Sequence, residues 1–159
     1  VAVAADGSVL VADIENDRVV RWAPGTTRGV VAGGRGPGPE LNQLDGPCGV
    51  AAARNGDIIV SERRSQVRNY RITRWRQGGY PRGAVVAGGN GHGGGPEQLD
   101  LPWGVLEAPD GGFIVVDSGN HRVVHWPPGA SAGRVLAGGN GRGTGAHHLK
   151  SPCGLAFSE

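Results

Sequence analysis

The sequence has no methionine and few aromatic side chains, which make up 5% of its 159 residues. Its two cysteines, Cys48 and Cys153, are too few for a disulfide framework and lack the paired spacing of a zinc site. No apolar run approaches the roughly 20 residues that a membrane-spanning helix needs. No segment has the charged, apolar and small-residue order of a signal peptide. We therefore expect no membrane insertion, and a chain that is processed or part of something longer.

Charge is sparse and uneven. The net charge of +2 indicates no class of partner by itself, and Lys150 is the one lysine among 16 basic residues. Residues 1–53 carry four arginines against six acidic residues, whereas residues 54–82 carry eight arginines against two. The excess of positive charge is therefore expected in the middle third of the chain.

Glycine, in contrast, is abundant, with 31 residues that recur in register. Ala-Gly-Gly and Pro-x-Gly each occur three times, and both recur with separations of 55 and 50 residues. A tryptophan recurs at a similar spacing, with separations of 53 and 51 residues. These landmarks are Ala32, Ala87 and Ala137; Pro47, Pro102 and Pro152; and Trp22, Trp75 and Trp126. They indicate repeats at about residues 1–46, 47–101 and 102–151, with 152–159 starting a further unit.

Each repeat contains four short strand-like runs, and no segment shows a helical period. Asp-Gly or Asn-Gly separates the first two runs, a typical hairpin signal at Asp6, Asn55 and Asp110. Four antiparallel strands in each unit of about 50 residues are typical of a propeller blade. We predict an all-β fold, a β-propeller segment of about three four-stranded antiparallel blades.

One polar corner gives a family resemblance. Asp117, Asn120, His121, Arg122 and Val123 are spaced as in NHL repeats, which the chain resembles over essentially its whole length. We interpret the first four of these residues as a structural corner network, in which side chains satisfy turn backbone groups and one another. The resemblance implies a propeller. It also implies a choice of roles, because NHL-type propellers include protein-binding modules, RNA-binding domains and metal-dependent lyases.

Three blades are too few to close a ring, since propellers have roughly four to eight. We expect half of a six-bladed propeller, completed by more chain or by a second copy.

The middle repeat departs from the pattern between Glu62 and Tyr70, where its corner is four residues longer than the others. Strand alternation divides the later arginines of this repeat between two faces, so only the corner arginines are expected to form one patch. The tentative partner-binding residues are Arg63, Arg64, Arg68 and Tyr70. The predicted function is a non-catalytic scaffold for a protein partner within a larger assembly. Recognition of single-stranded RNA is the alternative within binding functions.

Signals for catalysis are weak. Residues 89–94 have the letters of a dinucleotide fingerprint, but no helix pattern follows to hold a pyrophosphate. The loop histidines do not recur in the first repeat, as ligands at equivalent channel positions would. We predict no catalytic residues, no cofactor and no metal ligands. A metal-dependent propeller lyase or hydrolase is the alternative from a different class.

Overall fold

A computed structural model describes residues 1–63, 70–78 and 82–157. Its regular structure is almost entirely β-strand, with one short 3-10 helix at Ile14–Asn16. The strands are β1 Ala2–Val3, β2 Val9–Asp13, β3 Arg18–Trp22, β4 Val30–Gly33, β5 Pro47–Ala52, β6 Ile58–Glu62, β7 Arg71–Trp75, β8 Ala84–Gly88, β9 Pro102–Glu107, β10 Phe113–Asp117, β11 Arg122–Trp126 and β12 Arg134–Gly138. The predicted all-β fold class is confirmed.

The strands form three four-stranded antiparallel sheets in which each strand pairs with its neighbours in sequence. Blade 1 consists of β1 to β4, blade 2 of β5 to β8 and blade 3 of β9 to β12. The first strand of each blade is termed its inner strand. The described residues include no helix with the length and apolarity needed to cross a membrane.

Short side chains with oxygen atoms shape the turn between the first two strands of each blade. The side chains of Asp6, Asn55 and Asp110 each accept a hydrogen bond from the backbone N–H two residues ahead, with N···O distances of 3.0, 3.1 and 3.0 Å. The following glycine adopts a positive φ of 78 to 85° in each copy. Side chains with a Cβ rarely adopt that conformation, so the Asp-Gly or Asn-Gly pair determines where each hairpin turns.

The hydrophobic core lies between the blades. One cluster joins Ile59 and Ile72 of blade 2 to Val115 and Trp126 of blade 3, and a second joins blade 1 to blade 2. Trp75 and Trp126 are only 2% and 1% exposed. Each of these tryptophans stands at the end of the third strand and packs towards the preceding blade, so burial depends on contact between blades.

The inner strands approach one another most closely at the Pro-x-Gly tripeptides. A Cβ built on Gly49 would overlap the carbonyl oxygen of Trp103 and the hydroxyl oxygen of Ser61. The next tripeptide repeats this contact, because a Cβ on Gly104 would lie 3.1 Å from the Cys153 carbonyl oxygen. Glycine is therefore required at position 49, and a side chain at position 104 would be tightly crowded.

Gly49→Ala is expected to lower the free energy of unfolding by about 2 kcal/mol, because the new methyl group pushes blades 2 and 3 apart. Gly94→Ala is the matched control, since its Cβ would come no nearer than 3.4 Å to any atom. Denaturant titration of both variants measures the difference. Equal stability of the two variants would contradict the close approach.

Candidate interaction surface

The corner of blade 3 is built on the buried carboxylate of Asp117, which ends β10. This carboxylate accepts hydrogen bonds from Asn120 Nδ2 at 2.9 Å, from Arg122 Nε at 2.7 Å and from the backbone N–H of Asp100 at 2.7 Å. Burial raises the pKa of Asp117, and these hydrogen bonds oppose that rise. The carboxylate thereby joins its own corner to the chain segment that arrives from blade 2.

Arg122 extends this link. Its guanidinium donates to the carbonyl oxygens of Gly94, Gly95 and Gln98 at 2.9 to 3.1 Å. All three residues belong to the segment 89–101, which connects blade 2 to blade 3. We term this segment and its equivalents, residues 34–46 and 139–151, the glycine loops. The corner acid and arginine, with the loop carbonyls they hold, form what we term an arginine clamp. In blade 3 it connects the corner to the glycine loop that follows blade 2.

His121 lies in this corner with a left-handed φ of 54° and makes a different contact. Its Nδ1 accepts the backbone N–H of Ser151 at 3.2 Å. The imidazole therefore faces the glycine loop that leaves blade 3, while Arg122 faces the loop that enters it.

Blade 2 has the same arginine clamp with a longer acid. Arg71 donates to Glu62 at 3.0 and 3.1 Å, and to the carbonyl oxygens of Pro39, Glu40 and Gln43. Burial raises the pKa of Glu62 to about 7, although hydrogen bonds from Arg71 and Thr73 act in the opposite direction.

The surface next to this clamp combines an arginine with an aromatic ring. The guanidinium carbon of Arg63, directly after β6, lies 4.0 Å from the centroid of the Trp103 ring. This is the geometry of a cation–π contact. The Arg63 backbone N–H donates to Gly46 at 3.2 Å, which holds the chain where the long corner begins. Trp103 is 37% exposed, so the pair presents both charge and apolar area.

Trp103 also lines a cleft of about 450 Å³, which is formed by the three inner strands together with Cys153 and Leu155. Of the two cysteines that line it, Cys48 has its Sγ 3.2 Å from the Pro102 carbonyl oxygen, whereas Cys153 is exposed. Ser61 Oγ lies 3.5 Å from Cys48 Sγ and bonds the Trp103 carbonyl oxygen. Burial raises the pKa of the Cys48 thiol, which favours the protonated form at neutral pH.

The predicted partner-binding residues occupy different environments. Arg63 lies over the ring of Trp103, whereas Tyr70 is 5% exposed and packs in the core with its ring centroid 5.4 Å from that of His92. The ring of Tyr70 therefore offers no contact area to a partner. Arg64 and Arg68 lie outside the described residues.

Sequence reasoning missed Trp103 as part of this surface. The signal was present, because Trp103 replaces a cysteine in the middle of the repeated Pro-x-Gly tripeptide. A second arginine group was also missed: Arg74, Arg76 and Arg82 line a cavity of about 600 Å³ around Asp57, which pairs with Arg74 at 2.7 Å. The predicted split of the blade 2 arginines between faces gave no indication that these three share one cavity.

Within residues 1–63, 70–78 and 82–157, no three side chains of His, Cys, Asp or Glu are grouped as a metal site requires. Two carboxylate–histidine pairs occur in these residues, Asp110 with His125 at 3.0 Å and Asp100 with His92 at 3.2 Å. Each pair brings together only two side chains of these types.

Comparison with known proteins confirms the resemblance seen in the sequence. The NHL repeat family model matches residues 99–126, which include the blade 3 corner. No curated protein matches the chain significantly.

Solved structures with the same fold include one from a nidogen/laminin complex, with a TM-score of 0.67, 21% identity and coverage of 95% of this chain. They also include virginiamycin B lyase from Staphylococcus aureus with quinupristin, with a TM-score of 0.55, 18% identity and 82% coverage. A streptogramin B lyase aligns with a TM-score of 0.54, 15% identity and 82% coverage. The chain spans 49% of the first of these chains and 38% and 36% of the two lyases. At these identities the likeness shows the fold alone.

The pKa of Glu62 predicts a pH effect on stability. Its pKa rises from 4.5 to about 7 on folding, so the folded state binds more protons between these values. The free energy of unfolding contributed by this group therefore falls as pH rises from about 4.5 to 7, by about 1.4 kcal/mol for each unit of pKa difference. Glu62→Gln removes the titration. Denaturant unfolding between pH 4.5 and 7 should show that the free energy of unfolding of the wild type falls with rising pH relative to that of Glu62→Gln. A difference between the two proteins that stays constant with pH would contradict the raised pKa.

Proposed function

Because residues 99–126 are an NHL repeat in a propeller-type fold, we propose that the chain is a non-catalytic interaction scaffold that binds an acidic protein partner. The proposed contact surface is Arg63 with Trp103, which lines the inner-strand cleft. We include Arg64 and Arg68 in the proposed surface because they follow Arg63 closely in sequence. The observation that carries the proposal is the Arg63–Trp103 pair, with its 4.0 Å separation and its partly exposed ring.

The chemistry of this pair suits a protein interface. Arginine and tryptophan are enriched among the residues that contribute most to protein–protein binding. The stacked ring holds the guanidinium in place, so less side-chain entropy is lost when a carboxylate binds it. The excess of arginine in residues 54–82 adds an electrostatic preference for acidic surfaces.

The relatives give limited support. One structural neighbour was solved in a nidogen/laminin complex, so this propeller architecture occurs in a protein assembly. Two other neighbours are lyases. We favour binding over a reaction in the cleft, because the Cys48 thiol that lines it lies 3.2 Å from the Pro102 carbonyl oxygen and burial raises the pKa of that thiol.

Partner capture tests the proposal. Immobilised wild-type chain, treated with nuclease, is compared with the triple variant Arg63→Ala, Arg64→Ala, Arg68→Ala. The control changes exposed arginines elsewhere, Arg35, Arg54 and Arg82, to alanine and so has the same net charge. We expect an acidic protein to be retained by wild type and control, with at least about 10-fold less on the corner variant. Equal retention by all three proteins would contradict the proposed surface.

A labelled single-stranded RNA oligonucleotide is the second probe, since arginine beside an aromatic ring also suits phosphate and base contacts. Binding that weakens steeply with salt and is lost in the corner variant would identify nucleic acid as the ligand and overturn the protein-partner proposal. Protein capture that persists without RNA affinity supports it.

A further inference from the structure

The cavity of about 600 Å³ in blade 2 has no part in the proposed function. We term it the arginine cavity, because its lining includes Arg74, Arg76 and Arg82. It also includes Asp57, which directly precedes β6, whereas Arg63 directly follows that strand. At about 3.3 Å for each residue, the two ends of this five-residue strand are roughly 17 Å apart. The arginine cavity is therefore separate from the surface formed by Arg63.

Asp57 neutralises one of the three arginines. Its carboxylate accepts hydrogen bonds from Arg74 Nε at 2.7 Å, from Asn55 Nδ2 at 2.9 Å and from the backbone N–H of Gln77 at 3.0 Å. Burial raises the pKa of Asp57, but these hydrogen bonds act more strongly, so that the pKa lies below its usual value. Asp57 is therefore ionised at neutral pH and balances the charge of Arg74.

The excess of positive charge remains when the surroundings are included. A neighbouring cavity of about 390 Å³ shares Arg76 with the arginine cavity and also contains Asp6 and Arg21, which pair at 2.6 Å. Among the described residues, the charged side chains that line the two cavities are four arginines and two aspartates, which gives a net charge of +2. This excess attracts a ligand that carries two negative charges.

Space for such a ligand comes from Ala84 at the start of β8. In blade 3, Arg134 pairs across the sheet with His125 and donates to its Nδ1 at 3.1 Å, so a long side chain covers the basic residue of the third strand. In blade 2, the residue that pairs with Arg74 is Ala84, and its methyl group is too short to cover a guanidinium. The replacement of a long side chain by alanine therefore opens the cavity beside Arg74.

The backbone that carries the other two arginines is held in place. The residue after Arg76 donates its backbone N–H to Asp57 at 3.0 Å. The residue after Arg82 donates its backbone N–H to the carbonyl oxygen of Leu41, in the first glycine loop, at 2.6 Å. Because both side chains start from fixed backbone, less entropy is lost when their guanidinium groups gather around a ligand.

A phosphate monoester has the chemistry that these groups recognise. It carries a charge of about −1.5 to −2 near pH 7, which matches the net charge of the two cavities, whereas a carboxylate or a sulfate ester carries a single charge. Guanidinium groups bind phosphate oxygens through pairs of parallel hydrogen bonds. The volume of about 600 Å³ lies within the range of roughly 300–1,000 Å³ that is typical of small-molecule sites.

We propose that the arginine cavity binds a small organic phosphate monoester. Arg74, Arg76 and Arg82 donate hydrogen bonds to the phosphate oxygens. Because Arg76 also lines the neighbouring cavity, the organic group of the ligand lies against the apolar wall of that cavity, which includes Val30 and Val31.

Isothermal titration calorimetry with phenyl phosphate tests the proposal. Wild type is expected to bind one phenyl phosphate per chain, at least about 10-fold more tightly than phenyl sulfate, which has the same ring and a single charge. Arg82→Ala should raise the dissociation constant about 10-fold or more, because the phosphate loses a charged donor. Arg28→Ala is the matched control and should leave the constant unchanged, because Arg28 is exposed, takes the place of Arg82 in blade 1 and lines neither cavity.

A second variant, Ala84→Leu, fills the cavity without changing the net charge, and we expect it to weaken phenyl phosphate binding about 10-fold or more. Ala84 is exposed, so the variant should fold, which circular dichroism checks. Wild type that shows no saturable binding of phenyl phosphate would overturn the proposal. Equal affinity for phenyl sulfate, equal losses in Arg82→Ala and Arg28→Ala, or wild-type binding by Ala84→Leu would overturn it as well.

Discussion

The structure depends on an arginine at the start of the third strand in blades 2 and 3. Arg71 and Arg122 bind the buried acid of their own corner and three carbonyl oxygens of the loop from the preceding blade. Each of these glycine loops also has one fully buried leucine, Leu44 or Leu99, so the arginine bonds and this leucine together fix the position of the loop. Removing one partner of such a buried pair typically costs about 3–5 kcal/mol, because the remaining charge stays buried.

This constraint also places the candidate surface. The blade 2 clamp fixes Glu62, and the next residue, Arg63, lies over Trp103 of the following blade. The long corner therefore begins at a junction between two blades, beside the cleft of the inner strands. A partner bound there would contact both blades, so its affinity would depend on how firmly they are joined.

Much of this could be predicted from the sequence. The periods of Pro-x-Gly and Ala-Gly-Gly predicted three four-stranded sheets, and runs such as Arg71–Trp75 coincide with strands, because each repeat carries its own turn signals. The reach of Arg122 to Gly94 could not be predicted, because it joins residues of different repeats and its acceptors are backbone atoms. The pairing of Arg63 with Trp103, 40 residues away in sequence, depends on the angle between blades, which no local pattern specifies.

Tyr70 lies in the core for a related reason, although the sequence pattern predicts it on the binding surface. Its position in a long polar corner suggested exposure, yet it directly precedes β7 and takes part in the core between blades 2 and 3. Local polarity described the loop as a whole, while the residue next to the strand follows the packing of the sheet.

Amide hydrogen exchange of the Arg122→Ala variant tests most directly whether the arginine clamp holds the glycine loop in place. If the arginine holds the glycine loop, amides of residues 90–100 should exchange faster than in wild type, while those of residues 35–45, held by Arg71, keep wild-type rates. Unchanged exchange of residues 90–100 would contradict the account, because that loop would then hold its position without the bonds from Arg122.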